Sequence, residues 1–188
     1  MKTQHIVLSF LFALGTLFTA QAQKYPATGL QAQFDRATLQ ASGLTCAMCT
    51  RAIDNALKQI PFVQSVKPDI KNSAFDIVFK KDMPADIDVL KKAVEDAGFF
   101  VARLKISGSF QQAAVKNDGH ITLNGQVFHF IHIKDQVLNG EQELTVVDKD
   151  FLAAKEFKKF SGATTMKCIL TGKAGSCCSN MGVPAGTR

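Results

Sequence analysis

Between Arg36 and Ile106 the spacing of apolar residues switches back and forth between period two and a helical period. Few folds accept that alternation. Arg36 to Ser42 alternates small or apolar with polar residues and reads as a strand. Ile53, Ala56, Leu57 and Ile60 share one face at helical spacing, and Pro61 closes that helix. Phe62 to Val66 is a short β-prone run, after which Pro68-Asp69 and Lys71-Asn72 supply turn chemistry. Phe75, Ile77 and Phe79 then alternate with Asp76 and Lys80 as a half-buried strand. A second helix opens with Asp86 as N-cap, carries Ile87, Leu90, Val94 and Ala97 on its apolar face, and stops at Gly98. Phe100, Ala102, Leu104 and Ile106 alternate as a last strand, so the order over 36–106 is βαββαβ.

That order predicts an α+β chain whose first domain, 36–106, is the ferredoxin-like split βαβ arrangement. Two helices should cover one face of a four-stranded antiparallel sheet. At the first strand-to-helix junction lies Gly43-Leu44-Thr45-Cys46-Ala47-Met48-Cys49. Two cysteines three positions apart bring two sulfurs to one small site. The first turn of a helix offers unpaired N–H groups and the positive end of a dipole, both of which favour thiolates. A thiolate pair in an exposed loop suits Cu(I) first, with Hg(II) and Zn(II) as competitors.

This segment resembles a heavy-metal-associated domain, the family of copper chaperones, the amino-terminal modules of copper-transporting P-type ATPases and the periplasmic mercury-binding protein. The resemblance rests on the run from Gly43 to Cys49 and on Ala97-Gly98-Phe99, which is similar to the glycine-aromatic pair facing the metal in the ATPase modules. It implies Cys46 and Cys49 as metal ligands, with Leu44 and Phe99 shielding the site. Leu44 stands where the family usually has methionine and should serve equally as a packing anchor. Phe99 stands where many soluble chaperones carry a lysine, which makes the domain resemble an acceptor module.

Other parts of the chain bound its setting. Met1-Lys2, the apolar run Ile6 to Phe18 and Ala20-Gln21-Ala22 read as a signal peptide over 1–22, cleaved near Ala22. The mature product is expected to be periplasmic or secreted, without a membrane span. Residues 23–35 read as a flexible leader. The net charge of +6 is spread among acidic residues and forms no stripe, which argues against nucleic acid as a partner. Five cysteines, Cys46, Cys49, Cys168, Cys177 and Cys178, cannot all pair within one chain.

The second half has weaker signals. Residues 107–119 read as a polar linker, and 120–170 as a small β-rich domain of possible OB type with one helix. Asn124-Gly125 and Asn139-Gly140 each sit between β-prone runs and predict two hairpins. Asp150 is expected to cap a helix over 151–160, with Thr164 to Leu170 returning as a strand. His129 and His132 lie three apart on a predicted strand, face opposite sides and cannot share an ion. The tail, 171–188, reads as disordered. Its Cys177, Cys178 and Met181 form an accessory soft-metal set, or else serve disulfides, between chains or with Cys168.

These readings converge on an exported metal-binding protein that sequesters or transfers Cu(I), with a copper-transporting or copper-accepting protein as partner. Mercury or other heavy-metal resistance uses the same ligands. No hydrolytic triad, paired carboxylate motif or phosphate loop occurs, so an enzyme is not expected. The competing class is a thiol-disulfide oxidoreductase built on Cys46 and Cys49.

Overall fold

The computed structural model describes residues 32–173 apart from 45 and 124. The expected signal peptide, most of the leader, and Cys177, Cys178 and Met181 lie outside the described residues. The first strand, β1 (Ala32–Ser42), begins within the expected leader. Its buried residues are Ala32 and Phe34, then Ala37, Leu39 and Ala41. The parity changes because Asp35 is an extra residue: Phe34 pairs with Gly108, and Arg36 with Ser107. A bulge of this kind turns two stretches of opposite parity toward the same core. Read as a sequence, the alternation looks broken at Asp35.

The chain continues through α1 (Ala47–Lys58), β2 (Val63–Asp69), β3 (Ala74–Phe79), α2 (Ile87–Asp96) and β4 (Phe100–Val115). This is the expected βαββαβ order, with strands neighbouring as β2-β3-β1-β4 in antiparallel pairs. Ile53 and Leu57 of α1, with Leu90 and Val94 of α2, are fully buried with Leu39, Phe75, Ile77 and Leu104 of the sheet. Asp86 caps α2, accepting from the Asp88 N–H at 2.8 Å.

The second half departs from expectation. β4 runs on to Val115 through most of the expected linker. A bulge again hides the pattern: Gly108 and Phe110 are buried, then Ala113 and Val115, with Gln111 and Gln112 between them. β5 (Gly119–Leu123) and β6 (Gln126–Phe130) form the hairpin expected around residues 124 and 125. Asn139-Gly140 makes no hairpin. It lies inside one strand, β7 (Gln136–Val146), which joins the first sheet beside β4. Gly140, at φ +71°, sits opposite the β4 bulge, where Gln112 has φ +50°. Left-handed backbone is the shared demand of tight turns and bulges, so the same dipeptide serves either. Among the described residues the strands therefore make a five-stranded sheet and a hairpin, not a barrel.

Two further expectations are corrected. The third helix, α3 (Ala154–Phe160), starts after Ala153 without a side-chain cap. Asp150 instead accepts from Lys91 Nζ of α2 at 3.1 Å. The expected last strand is a single helical turn, α4 (Cys168–Thr171), closed by Gly172 at φ +62°. Cys168 and Ile169 are both buried, which neighbouring residues of a flat strand could not be on one face.

The two halves share one core. The Phe34 ring meets Phe110 edge-on at 6.1 Å and Phe128 at 5.6 Å. Gln126 Nε2 donates to Asp86 Oδ1 at 3.1 Å, linking the hairpin to the cap of α2. Gly108 allows β1 and β4 to approach, since a Cβ there would lie 2.2 Å from the Gln33 carbonyl oxygen and 2.8 Å from Phe34 Cα. Both are backbone atoms with little room to yield. Gly108→Ala should therefore lower stability by roughly 2–3 kcal/mol in denaturant unfolding, the upper range for overpacking. An unchanged midpoint would mean that the strands separate freely at this bulge.

Candidate metal centre

The loop between β1 and α1 is shaped by its glycine. Gly43 has φ +84°, and a Cβ built on it would lie 3.8 Å from Phe99 Cδ1. The Phe99 ring thus flanks the loop from the far end of α2. Its position follows from how that helix ends: Gly98, at φ +89°, donates to the Glu95 carbonyl at 2.9 Å, and the Phe99 N–H to Val94 at 3.1 Å. These paired bonds are a Schellman closure, which needs left-handed backbone at the glycine. Leu44 and Phe99 are both half-buried against the core.

Cys46 is the N-cap of α1. Its sulfur accepts from the Cys49 N–H at 3.3 Å, and its carbonyl accepts from the N–H groups of Cys49 and Thr50. The two Sγ atoms lie 2.6 Å apart. Cys46 is exposed and Cys49 half-buried. The first turn of α1 carries no acidic side chain, so no carboxylate in that turn opposes negative charge at the sulfurs. Beside them the Met48 side chain is 80% exposed. The loop thus presents two soft donors at an accessible edge of a rigid frame, backed by apolar Leu44 and Phe99. Such a pair can take a thiophilic ion or exchange one with another thiol.

The remaining candidate residues fall elsewhere. His132 leaves the strand with φ +57°, is exposed, and meets the Phe160 ring edge-on at 5.9 Å. It does not join His129, whose ring lies beside His120 and Cys168. His120 was not singled out in the sequence, although the hairpin count from residues 124 and 125 pairs it with His129. Among the described residues no helix is long and apolar enough to cross a membrane.

With this geometry in view, the comparisons with known proteins fall on the same segment. A probable copper-transporting ATPase, HMA5, of Arabidopsis thaliana is 31% identical over 64 residues, which are 34% of this chain and 6% of the ATPase. The copper chaperone CopZ of Bacillus subtilis (strain 168) is 28% identical over 69 residues, 37% of this chain and 99% of the chaperone. Among solved structures, a CopZ metallochaperone aligns with 27% identity over 36% of this chain and 98% of its own, at a TM-score of 0.33. Oxidized MerP from Ralstonia metallidurans CH34 aligns with 25% identity over 37% and 94%, at a TM-score of 0.34. The chain thus spans nearly all of the chaperone and a small fraction of the ATPase. The matching family model, the heavy-metal-associated domain, covers residues 38–100, and that segment is a heavy-metal-associated domain.

Proposed function

We propose that this protein binds a soft metal ion, Cu(I) before Hg(II) or Zn(II), through Cys46 and Cys49, and passes it to or from a copper-transporting partner. The observation that carries the reading is the sulfur pair itself: adjacent, at an exposed helix start, with no carboxylate in the first turn. Similarity to a copper chaperone over nearly its whole length supports the choice of copper.

The ion is cargo. Two thiolates hold Cu(I) at low coordination, which leaves room for a sulfur of the partner to enter. Transfer then proceeds by exchange: one incoming Cu–S bond forms as one outgoing bond breaks, and the ion never meets water alone. Exposure of Cys46 lets the partner enter, while half-buried Cys49 keeps its hold. Phe99 and Leu44 exclude water from the inner side of the loop. Export, as the amino-terminal pattern suggests, would place this exchange in the periplasm.

The test is competition of the reduced protein against a Cu(I) chelator of known affinity, with and without a truncation before Cys177. One ion per chain, held equally by both forms, is the expected result. Failure of the full chain to draw copper from a weak chelator would end the proposal. Binding that disappears with the truncation would move the site to the tail.

A further inference from the structure

The hairpin carries a second cluster of metal-binding side chains that the loop chemistry does not use. In the register of β5 and β6, His120 lies directly opposite His129. Residues opposite one another in an antiparallel pair project from the same face. Their rings stack with centroids 4.3 Å apart and planes 11° from parallel. Over them sits Cys168, the first residue of α4 and only 8% exposed. Its sulfur lies 3.5 Å from His120 Nε2 and 3.3 Å from His129 Nδ1.

We propose that His120, His129 and Cys168 form a second metal site, separate from the cysteine loop, for an ion of borderline softness such as Zn(II) or Co(II). A nitrogen, nitrogen and thiolate set selects for these ions and against Mg(II) or Ca(II), which want oxygen. The distances suit the assignment. A tetrahedral ion with ordinary Zn–N and Zn–S bonds holds nitrogen and sulfur about 3.5 Å apart. One donor atom from each residue lies within 4.8 Å of the other two. Binding requires the stacked rings to tilt until both nitrogens aim at a common point.

The second support is how the rings are held. His129 Nε2 meets Asp118 Oδ1 at 2.8 Å, so a carboxylate fixes the ring by the nitrogen that would not ligate. That is the usual arrangement behind a metal-bound histidine, where it sets the tautomer and raises ligand basicity. Asp118 in turn takes a hydrogen bond from the Thr164 side chain. All three ligands line a cavity of about 550 Å³ whose wall also includes Phe128, Leu144 and Leu152. Three protein ligands leave a fourth position for water or a small anion, and the cavity gives it room.

This site does not depend on the loop reading, and the test separates them. In the full chain, Cys46, Cys49, Cys177 and Cys178 are all replaced by serine, leaving Cys168 as the one thiol. Titration with Co(II) should then reach an end-point at one ion per chain, with a thiolate-to-cobalt charge-transfer band in the near ultraviolet and the visible bands of a tetrahedral ion. Adding His120→Asn or His129→Asn should weaken Co(II) by more than about 10-fold, since even residues behind the ligands contribute that much. Cys168→Ser should abolish the charge-transfer band. Far-ultraviolet circular dichroism checks that each variant folds, and the histidine variants keep Cys168 in its apolar surroundings should its replacement disturb the core. No charge-transfer band at large Co(II) excess would overturn the site. So would a band unchanged in both histidine variants, since Cys168 would then be binding alone.

Discussion

Replacing either Cys46 or Cys49 by serine should weaken Cu(I) binding by more than about 100-fold, measured by chelator competition under reducing conditions. Residues that only support a metal ligand contribute 10–100-fold, and a ligand contributes more. Serine keeps nearly the volume of cysteine but exchanges a soft thiolate for a hydroxyl that stays protonated, which Cu(I) disfavours. The fold should survive, because Cys46 is exposed, Cys49 half-buried, and serine is a good N-cap at the start of α1. An unchanged melting temperature beside lost binding would therefore isolate ligation from stability. The two variants should differ in transfer. On the proposed exchange, Cys46→Ser would remove the exposed sulfur open to a partner and slow transfer, and Cys49→Ser the half-buried one that would retain the ion. Equal, undiminished affinity in both variants would sink the two-sulfur site. Rapid insulin reduction by a chain that binds no metal would instead support the oxidoreductase reading.

The sequence made the first half legible because local and global signals agree there. Period-two and helical patterns, the Asp86 cap and the Gly98 stop all name the same elements that the fold uses. Outside residues 36–106 the signals conflict, and in each case the cause is one or two residues. Asp35 and the pair Gln111-Gln112 shift the parity of β1 and β4, so continuous strands look like irregular chain. Gly140 supplies left-handed backbone to a bulge where a turn was the natural reading. Asp150 has cap chemistry but is drawn instead to Lys91, a partner distant in the chain. The second cluster was half legible. A two-residue loop after Leu123 fixes His120 opposite His129 by counting alone, and comparing His129 with His132 along one strand missed it. Cys168 was beyond such counting, since only the packing of α4 brings it over the hairpin.

Phe110→Ala should lower the stability of the whole chain by about 3–5 kcal/mol, the range for truncating a buried aromatic side chain. Phe110 is 2% exposed, packs edge-on against Phe34, and lies on β4 beyond the end of the matched domain at residue 100. Were residues 107–119 a linker between independent domains, its loss would disturb at most the second of two unfolding transitions. The sheet argues otherwise. β4 hydrogen-bonds to β1 through Ala32↔Phe110 on one side and to β7 through Phe110↔Gly140 on the other. Phe34, Phe110 and Phe128 connect the ferredoxin-like sheet to the hairpin in one apolar cluster. Unfolding should therefore be a single transition, moved down by roughly 10 °C at the 2–4 °C per kcal/mol typical of a chain this size. The double replacement with Phe34→Ala should cost less than the sum of the singles, because the two rings share the contact that each variant removes. Two separate transitions, with only the later one shifted by Phe110→Ala, would show that the halves melt independently. The cysteine loop could then be cut free at β4 without loss. A single shifted transition would mean that the cysteine loop is held by a frame reaching as far as β7.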